Sequence, residues 1–298
     1  MLVVLSLFSY MRSERVEITG VSSQTIEDCA FISLRAEIGG GIYCSFTECL
    51  LSVGRCNFQN CSATSSETVS RASMSGGGIL SESGFFGLSQ CCFSECSSKG
   101  TGAGFITVTP SGHRMVINLV SLSSCSGGSS FFGDCGNGEF TNVNVTGATE
   151  TSYECCGFCW YPTYSLLSYM TFKNSKNRVC FILSIPSGGK NNTADHINLI
   201  NNTCDYAWGC GSHGTGYVNF MTVVESGAKT CYSIESGSIN YRNVFVDRKV
   251  SGMNYTDFVV FHPHEELGEE CIRRSMSFTS FKSPMTARLL FLILFLAM

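Results

Sequence analysis

The chain repeats itself, and no helical period runs through the repeat. The hexapeptides CAFISL (residues 29–34), CNFQNC (56–61) and CCFSEC (91–96) align on a phenylalanine in third place. With that position as anchor, the series runs Phe31, Phe58, Phe93, Leu122, Val145, Phe172, Leu199, Val223 and Val246. The separations are 27, 35, 29, 23, 27, 27, 24 and 23 residues. Self-similarity at a period of roughly 20–50 residues marks a stacked architecture, in which each unit is one supersecondary element.

Two residues before the anchors stand Cys29, Cys56, Cys91, Val120, Val143, Met170, Ile197, Met221 and Val244. Five residues before stand Ile26, Val53, Leu88, Ile117, Phe140, Leu167, Ala194, Val218 and Tyr241. Mostly polar residues separate these rows. Alternation at period two is the pattern of a half-buried strand, and the odd step between the two rows predicts a bend or bulge within it. After the anchor comes a second block: GGGIYC (39–44), GGGIL (76–80) and GAGFI (102–106), with diluted copies around Phe132, Phe181, Tyr232 and Val259. Its glycines predict positive-φ corners, and its apolar residues a further strand.

A unit of about 27 residues built from two or three short strands cannot bury its apolar face alone and must stack on its neighbours. The predicted fold is all-β, a parallel β-helix (solenoid) of about nine coils, forming a rod of roughly 40 Å at ~4.8 Å per coil. A leucine-rich repeat has a similar period but demands a dense leucine frame. The Phe and Val anchors do not supply it, and a Gly-Gly-Gly corner has no place in it.

Phe58-Gln59-Asn60-Cys61 followed by Gly76-Gly77-Gly78-Ile79 resembles the paired tetrapeptides of chlamydial polymorphic outer-membrane protein repeats. Similar repeats occur in large surface proteins of protists. The resemblance is good over residues 29–106 and fades over 116–260. It departs from the bacterial F-x-x-N and G-G-A-I pattern where cysteine takes the fourth place, at Cys61, Cys96 and Cys125, and where glycine replaces alanine. The resemblance implies a right-handed parallel β-helix of pectate-lyase-like architecture, surface display and adhesion, and no catalytic residue. No β-barrel translocator follows the repeats, which argues against bacterial autotransport.

Eighteen cysteines in 298 residues exceed cytosolic habit and favour an oxidising, secreted or surface setting. A net charge of −4 without a Lys/Arg cluster speaks against nucleic acid as partner. A hydrophobic fraction of 44% argues against disorder, and no apolar run reaches the ~18 residues of a membrane-spanning helix. N-glycosylation sequons stand at Asn60, Asn144, Asn191, Asn201 and Asn254, in a chain rich enough in Ser, Thr and Asn to produce about as many by chance. Parallel neighbours one coil apart keep their Cβ atoms near ~4.8 Å, beyond the ~3.8 Å that a disulfide favours. The inner row Cys29, Cys56 and Cys91 is therefore expected as free thiols. The corner row Cys61, Cys96 and Cys125, expected nearer solvent, is the candidate for cross-linking.

The organisation expected is an apolar N-terminal segment over 1–20 (a secretory signal or a capping strand), repeats over 21–262, a polar segment over 263–286 and a hydrophobic tail over 287–298. A helix over that tail is ~15–18 Å long, short of the ~30 Å hydrocarbon core. A short apolar tail after a polar spacer resembles a GPI-attachment signal, with Ser275 or Ser277 as attachment position. Membrane association through the tail is the expectation.

Candidate chemistry is sparse. Cys155, Cys156 and Cys159 contain a C-x-x-C, but a zinc or redox site needs a second pair or a thioredoxin-like context. His213 in G-S-H-G, preceded by INLINNTC (197–204), resembles a motif of polygalacturonases, which work with paired carboxylates. Asp195 beside His196, Asp205, Asp247 and Asp257 do not recur one coil apart as such a cluster, and the acidic Ca²⁺ site of a pectate lyase is missing too. His262, His264, Glu265 and Glu266 read as a polar turn. The expectation is a non-enzymatic cell-surface or secreted protein with an adhesion or coat role, no cofactor or metal, and an extracellular glycan or protein as ligand. The alternatives are a polysaccharide-active enzyme with degenerate motifs and a decayed fragment of a larger surface protein.

Overall fold

A computed structural model of the chain describes residues 3–5, 10–20, 23–65, 75–108, 114–134, 137–150, 155–160, 164–177, 179–185, 192–204, 206–212, 215–224, 230–234 and 238–246. The described residues form strands and turns with no helix, and every strand pairing is parallel, in sheets of 13, 9 and 5 strands. Each sheet runs along the stack, with one strand per coil or, in the first coils of the largest sheet, two short ones, so the molecule is a parallel β-solenoid. The anchors form one unbroken register: Phe31 pairs with Phe58, Phe58 with Phe93, Phe93 with Leu122, Leu122 with Val145, Val145 with Phe172, Phe172 with Leu199, Leu199 with Val223 and Val223 with Val246. Anchors Phe31 to Val223 are buried, as are the row two residues before (Cys29 to Val244) and the row five before from Ile26 to Val218. Within the stack, Phe31, Phe58 and Phe93 lie ring on ring at 4.7 and 4.6 Å, tilted by only 1° and 6°.

Among the described residues all three faces coexist as strands where the five-stranded sheet runs, from Arg35–Ala36 to Thr149–Glu150. The stack has about six complete turns rather than the nine counted from anchors, because an anchor is needed for the first face alone. Isolated bridges Thr149–Lys176 and Lys176–Thr203 carry that third face on in reduced form. Strands Val3–Leu5, Tyr10–Arg12 and Val16–Ile18 pair in parallel with Ser23–Glu27, Cys29–Ile32 and Ile42–Cys44, so part of segment 1–20 forms a layer of the stack.

The predicted bend has a defined cause. The residue three before each anchor is left-handed: Asp28, Arg55, Gln90, Leu119, Asn142, Tyr169, His196, Phe220 and Asn243, all at φ between 51° and 56°. A second left-handed corner follows two residues after the anchor, at Ser33, Asn60, Glu95, Ser124, Gly147, Asn174 and Asn201. Non-glycine residues pay roughly 1–2 kcal/mol in this region. The stack tolerates them because corner N–H groups still donate to the next coil, among them Asp28 to Gly54 O (3.1 Å) and Asn60 to Ser94 O (2.8 Å).

The glycine block corrects the sequence expectation. Among the described glycines only Gly39, Gly102 and Gly147 have positive φ. The other glycines of the block are small because the chain packs closely there. A Cβ on Gly41 would stand 2.9 Å from the Phe58 ring, and one on Gly78 would stand 2.7 Å from the Phe93 ring. The two recurring tetrapeptides are thus one packing unit, with the aromatic anchor of each coil lying on the glycine of the coil before.

Candidate functional site: an aromatic corner ridge

Outward of this interior, the first left-handed corner forms a ridge with one side chain per coil. Its early part is ionic: Arg55 binds Glu27 at 2.7 Å and Asp28 at 2.8 Å, with all three side chains 38–43% exposed. In the later coils the ridge becomes aromatic. Tyr169, His196 and Phe220 stack in succession, with centroids 4.7 Å apart at both steps. Beside them a polar relay runs from the ridge's own Asn243 into the adjoining row: Asn243 donates to Asn219 (2.8 Å), Asn219 donates to Asp195 (2.9 Å), and Asp195 Oδ2 meets His196 Nδ1 at 2.7 Å. Tyr169 and Tyr217, 36% and 46% exposed, with exposed Arg242 complete the patch. Ring faces are used up within the stack, so an approaching ligand meets ring edges, phenol groups, a carboxylate, amides and a guanidinium.

Sequence reasoning named Asp195 and His196 but weighed them as catalytic groups and missed the ridge. Each ridge member is three residues before an anchor and none shares a type with its neighbours, so the signal was position rather than identity. His213, Asp205, Asp247, Asp257, His262, His264, Glu265 and Glu266 lie outside the described residues. Cys155, Cys156 and Cys159 fall in strand Cys155–Trp160 of the nine-stranded sheet, the copy of the second block that belongs to the coil of Val145. Among the described residues no three His, Cys, Asp or Glu side chains converge as a metal site.

The sequons separate. Asn60 and Asn201 are exposed on the second corner row. Asn144 is 7% exposed, in a buried polar row with Ser121, Thr171 and Asn198, so a glycan there would have to displace its neighbours in the row. Asn191 and Asn254, like Ser275, Ser277 and the tail, lie outside the described residues. No helix among the described residues is long and apolar enough to cross a membrane.

Both cysteine rows hold free thiols. For Cys61, Cys96 and Cys125 this overturns the expectation of cross-linking: they are buried to 0–1% exposure, because the left-handed corner turns the following residue inward. Each donates to the carbonyl of the preceding coil's anchor, Cys61 to Phe31 O (3.3 Å), Cys96 to Phe58 O (3.5 Å) and Cys125 to Phe93 O (3.8 Å). Cys56 and Cys91 likewise meet carbonyls at the first corner, those of Gly54 and Ser89, at 3.2 Å. A thiol fits these places because it packs as a small hydrophobe and still carries a weak donor. Burial holds the Cys96 thiol well above its ordinary value. Cys92 is disulfide-bonded.

No family model, curated protein or solved structure matches the chain.

Proposed function

We propose that the chain is a non-enzymatic cell-surface or secreted β-helix protein in which the solenoid is the scaffold and the corner ridge of the later coils is the adhesive surface. The observation that carries this reading is the Tyr169–His196–Phe220 stack with its Asn243–Asn219–Asp195 relay, an ordered outward array on a rigid interior. Aromatic edges with convergent amides and a carboxylate suit an extracellular glycan or a protein loop, and aromatic and arginine side chains dominate binding energy at interfaces. The paired tetrapeptides resembling polymorphic outer-membrane protein repeats and the cysteine content add support for surface display, with the tail over 287–298 as the membrane attachment.

Fractionation of cells carrying a tagged chain, followed by protease treatment of intact cells, tests the location. Tagged chain that stays soluble and protease-protected inside the cell overturns it. Binding of purified chain to a glycan panel and to intact cells tests the surface: Tyr169→Ala with Phe220→Ala should weaken binding at least about tenfold with the urea midpoint little changed. Equal binding by the double variant removes the ridge from the proposal.

The Asp195–His196 pair favours a second reading, a polysaccharide-active enzyme. Release of reducing ends or unsaturated products from polyuronides, abolished by His196→Ala, would place that reading first.

A further inference from the structure

Thiol neighbours in this solenoid have two geometries. Cys29, Cys56 and Cys91, and Cys61, Cys96 and Cys125, sit in successive coils at equivalent places, where parallel side chains keep Cβ atoms ~4.8 Å apart. Cys44 and Cys49 instead belong to one coil. Cys44 ends strand Ile42–Cys44 of the second sheet, and Cys49 directly precedes strand Leu50–Gly54 of the first. Residues 45–48 turn back between them, closed by Cys49 N–H donating to Phe46 O at 3.0 Å. Neither cysteine has any exposed surface, both are thiols here, both belong to one core cluster, and each bears on the other's protonation. In the next coil the corner is two residues shorter: Phe85 pairs with Leu50, so Gly84 stands where Cys49 does, and Ser81, in register with Cys44, meets Ser83 hydroxyl to hydroxyl at 2.7 Å within the turn. Two inward side chains that flank so short a turn in one interior are brought towards each other, as a disulfide requires.

We propose that Cys44 and Cys49 join in a disulfide as the chain folds in an oxidising compartment. Two thiols and one oxidised glutathione give the Cys44–Cys49 bond and two reduced glutathiones, each cysteine passing its proton and one electron to a departing glutathione sulfur. The order of events follows from burial, which, with the neighbouring Cys44, pushes the Cys49 thiol up to about 12. A neutral thiol is a poor nucleophile, so exchange precedes closure of the corner, and the folded reduced chain oxidises slowly.

The tryptic peptide 36–55, bounded by Arg35 and Arg55, contains Cys44 and Cys49 and no other cysteine. The full chain is made by cell-free translation in a glutathione redox buffer with disulfide isomerase, alkylated without reduction and digested, so cellular location plays no part. The expected peptide is two hydrogens lighter than the reduced form and carries no alkyl group. Two alkyl groups, or attachment of either cysteine to another peptide, overturns the proposal. In a second arm the chain is made under reducing conditions and oxidised glutathione is added after folding. Linkage should then form at least about tenfold more slowly, and equal rates overturn the order of events.

Discussion

In the coils anchored by Phe31, Phe58 and Phe93 the interior is a column of stacked rings resting on glycine, with thiols at its corners. In those anchored by Phe172, Leu199 and Val223 the described interior is largely aliphatic, and polar side chains have replaced the thiols. Cys61, Cys96 and Cys125 give way, in the same row, to Ala148, Ser175 and Asn202. Asn202 donates to Phe172 O at 2.8 Å and accepts from Ser175 N–H at 3.0 Å, where Cys96 reaches Phe58 O with a single 3.5 Å thiol bond. The same inward carbonyl is satisfied in both halves. What differs is how much is lost when the donor is removed, and how the donor responds to pH and oxidants.

Alkaline pH should separate the halves most. The Cys29 thiol is held up by its hydrogen bond to Cys56 and by burial, and Cys49 and Cys96 chiefly by burial. A folded value above the unfolded one means that the native chain keeps protons which the unfolded chain has released. Stability is therefore intact below about pH 9 and falls above it, for Cys49 until about pH 12, by at most about 1.4 kcal/mol per pH unit per thiol. Trp160, in the coil of Val145, and Trp208, in that of Leu199, both lie beyond the ring column, so in the reduced chain their fluorescence reports the later part of the solenoid while alkylation of Cys29 and Cys49 reports the other. Thiols that become reactive no earlier than the fluorescence changes would erase the distinction.

Phe58→Ala should cost about 3–5 kcal/mol in urea unfolding, since it empties the middle of the ring column; a loss under 2 kcal/mol would mean that the column collapses around the gap. Asn202→Ala should cost about 2–3 kcal/mol, because it orphans a buried carbonyl and a buried N–H. Cys96→Ala should cost about 1 kcal/mol, and the comparison fails if the two costs are equal. Gly78→Ala, driven into the Phe93 ring and the Gly104 carbonyl, should cost about 1–3 kcal/mol. Gly147→Asn should stay within about 0.5 kcal/mol, as a corner at φ 64° with its nearest neighbour 3.5 Å from the new Cβ suits a residue that tolerates left-handed geometry. Thermal midpoints of this glycine pair check the claim that space, rather than φ, demands Gly78.

The interior was legible from the first because an inward row needs one chemical type in every coil, and a repeated type is visible without coordinates. Glycines were placed correctly but explained only in part, since Gly39 and Gly102 do have positive φ: composition cannot tell a residue chosen for its φ from one chosen because a neighbouring ring lies on it. Strand Cys155–Trp160 was not recognised as a copy of the second block because Gly157 stands in register with Phe131 and Phe181, which broke the pattern. The ridge was not legible, since Tyr169, His196 and Phe220 are 27 and 24 residues apart and share only a position.

What the amino-acid order determined alone is the coil period, the apolar rows and the parallel stacking, because burying those rows requires like to lie over like. Tertiary structure decided everything that depends on two coils meeting. It turned the corner cysteines inward to bind carbonyls, buried Asn144 while leaving Asn60 and Asn201 in water, set Cys44 against Cys49, and assembled the ridge. Contacts between residues one coil apart arise from the exact winding of the chain, and the spacing of types along a sequence does not contain it.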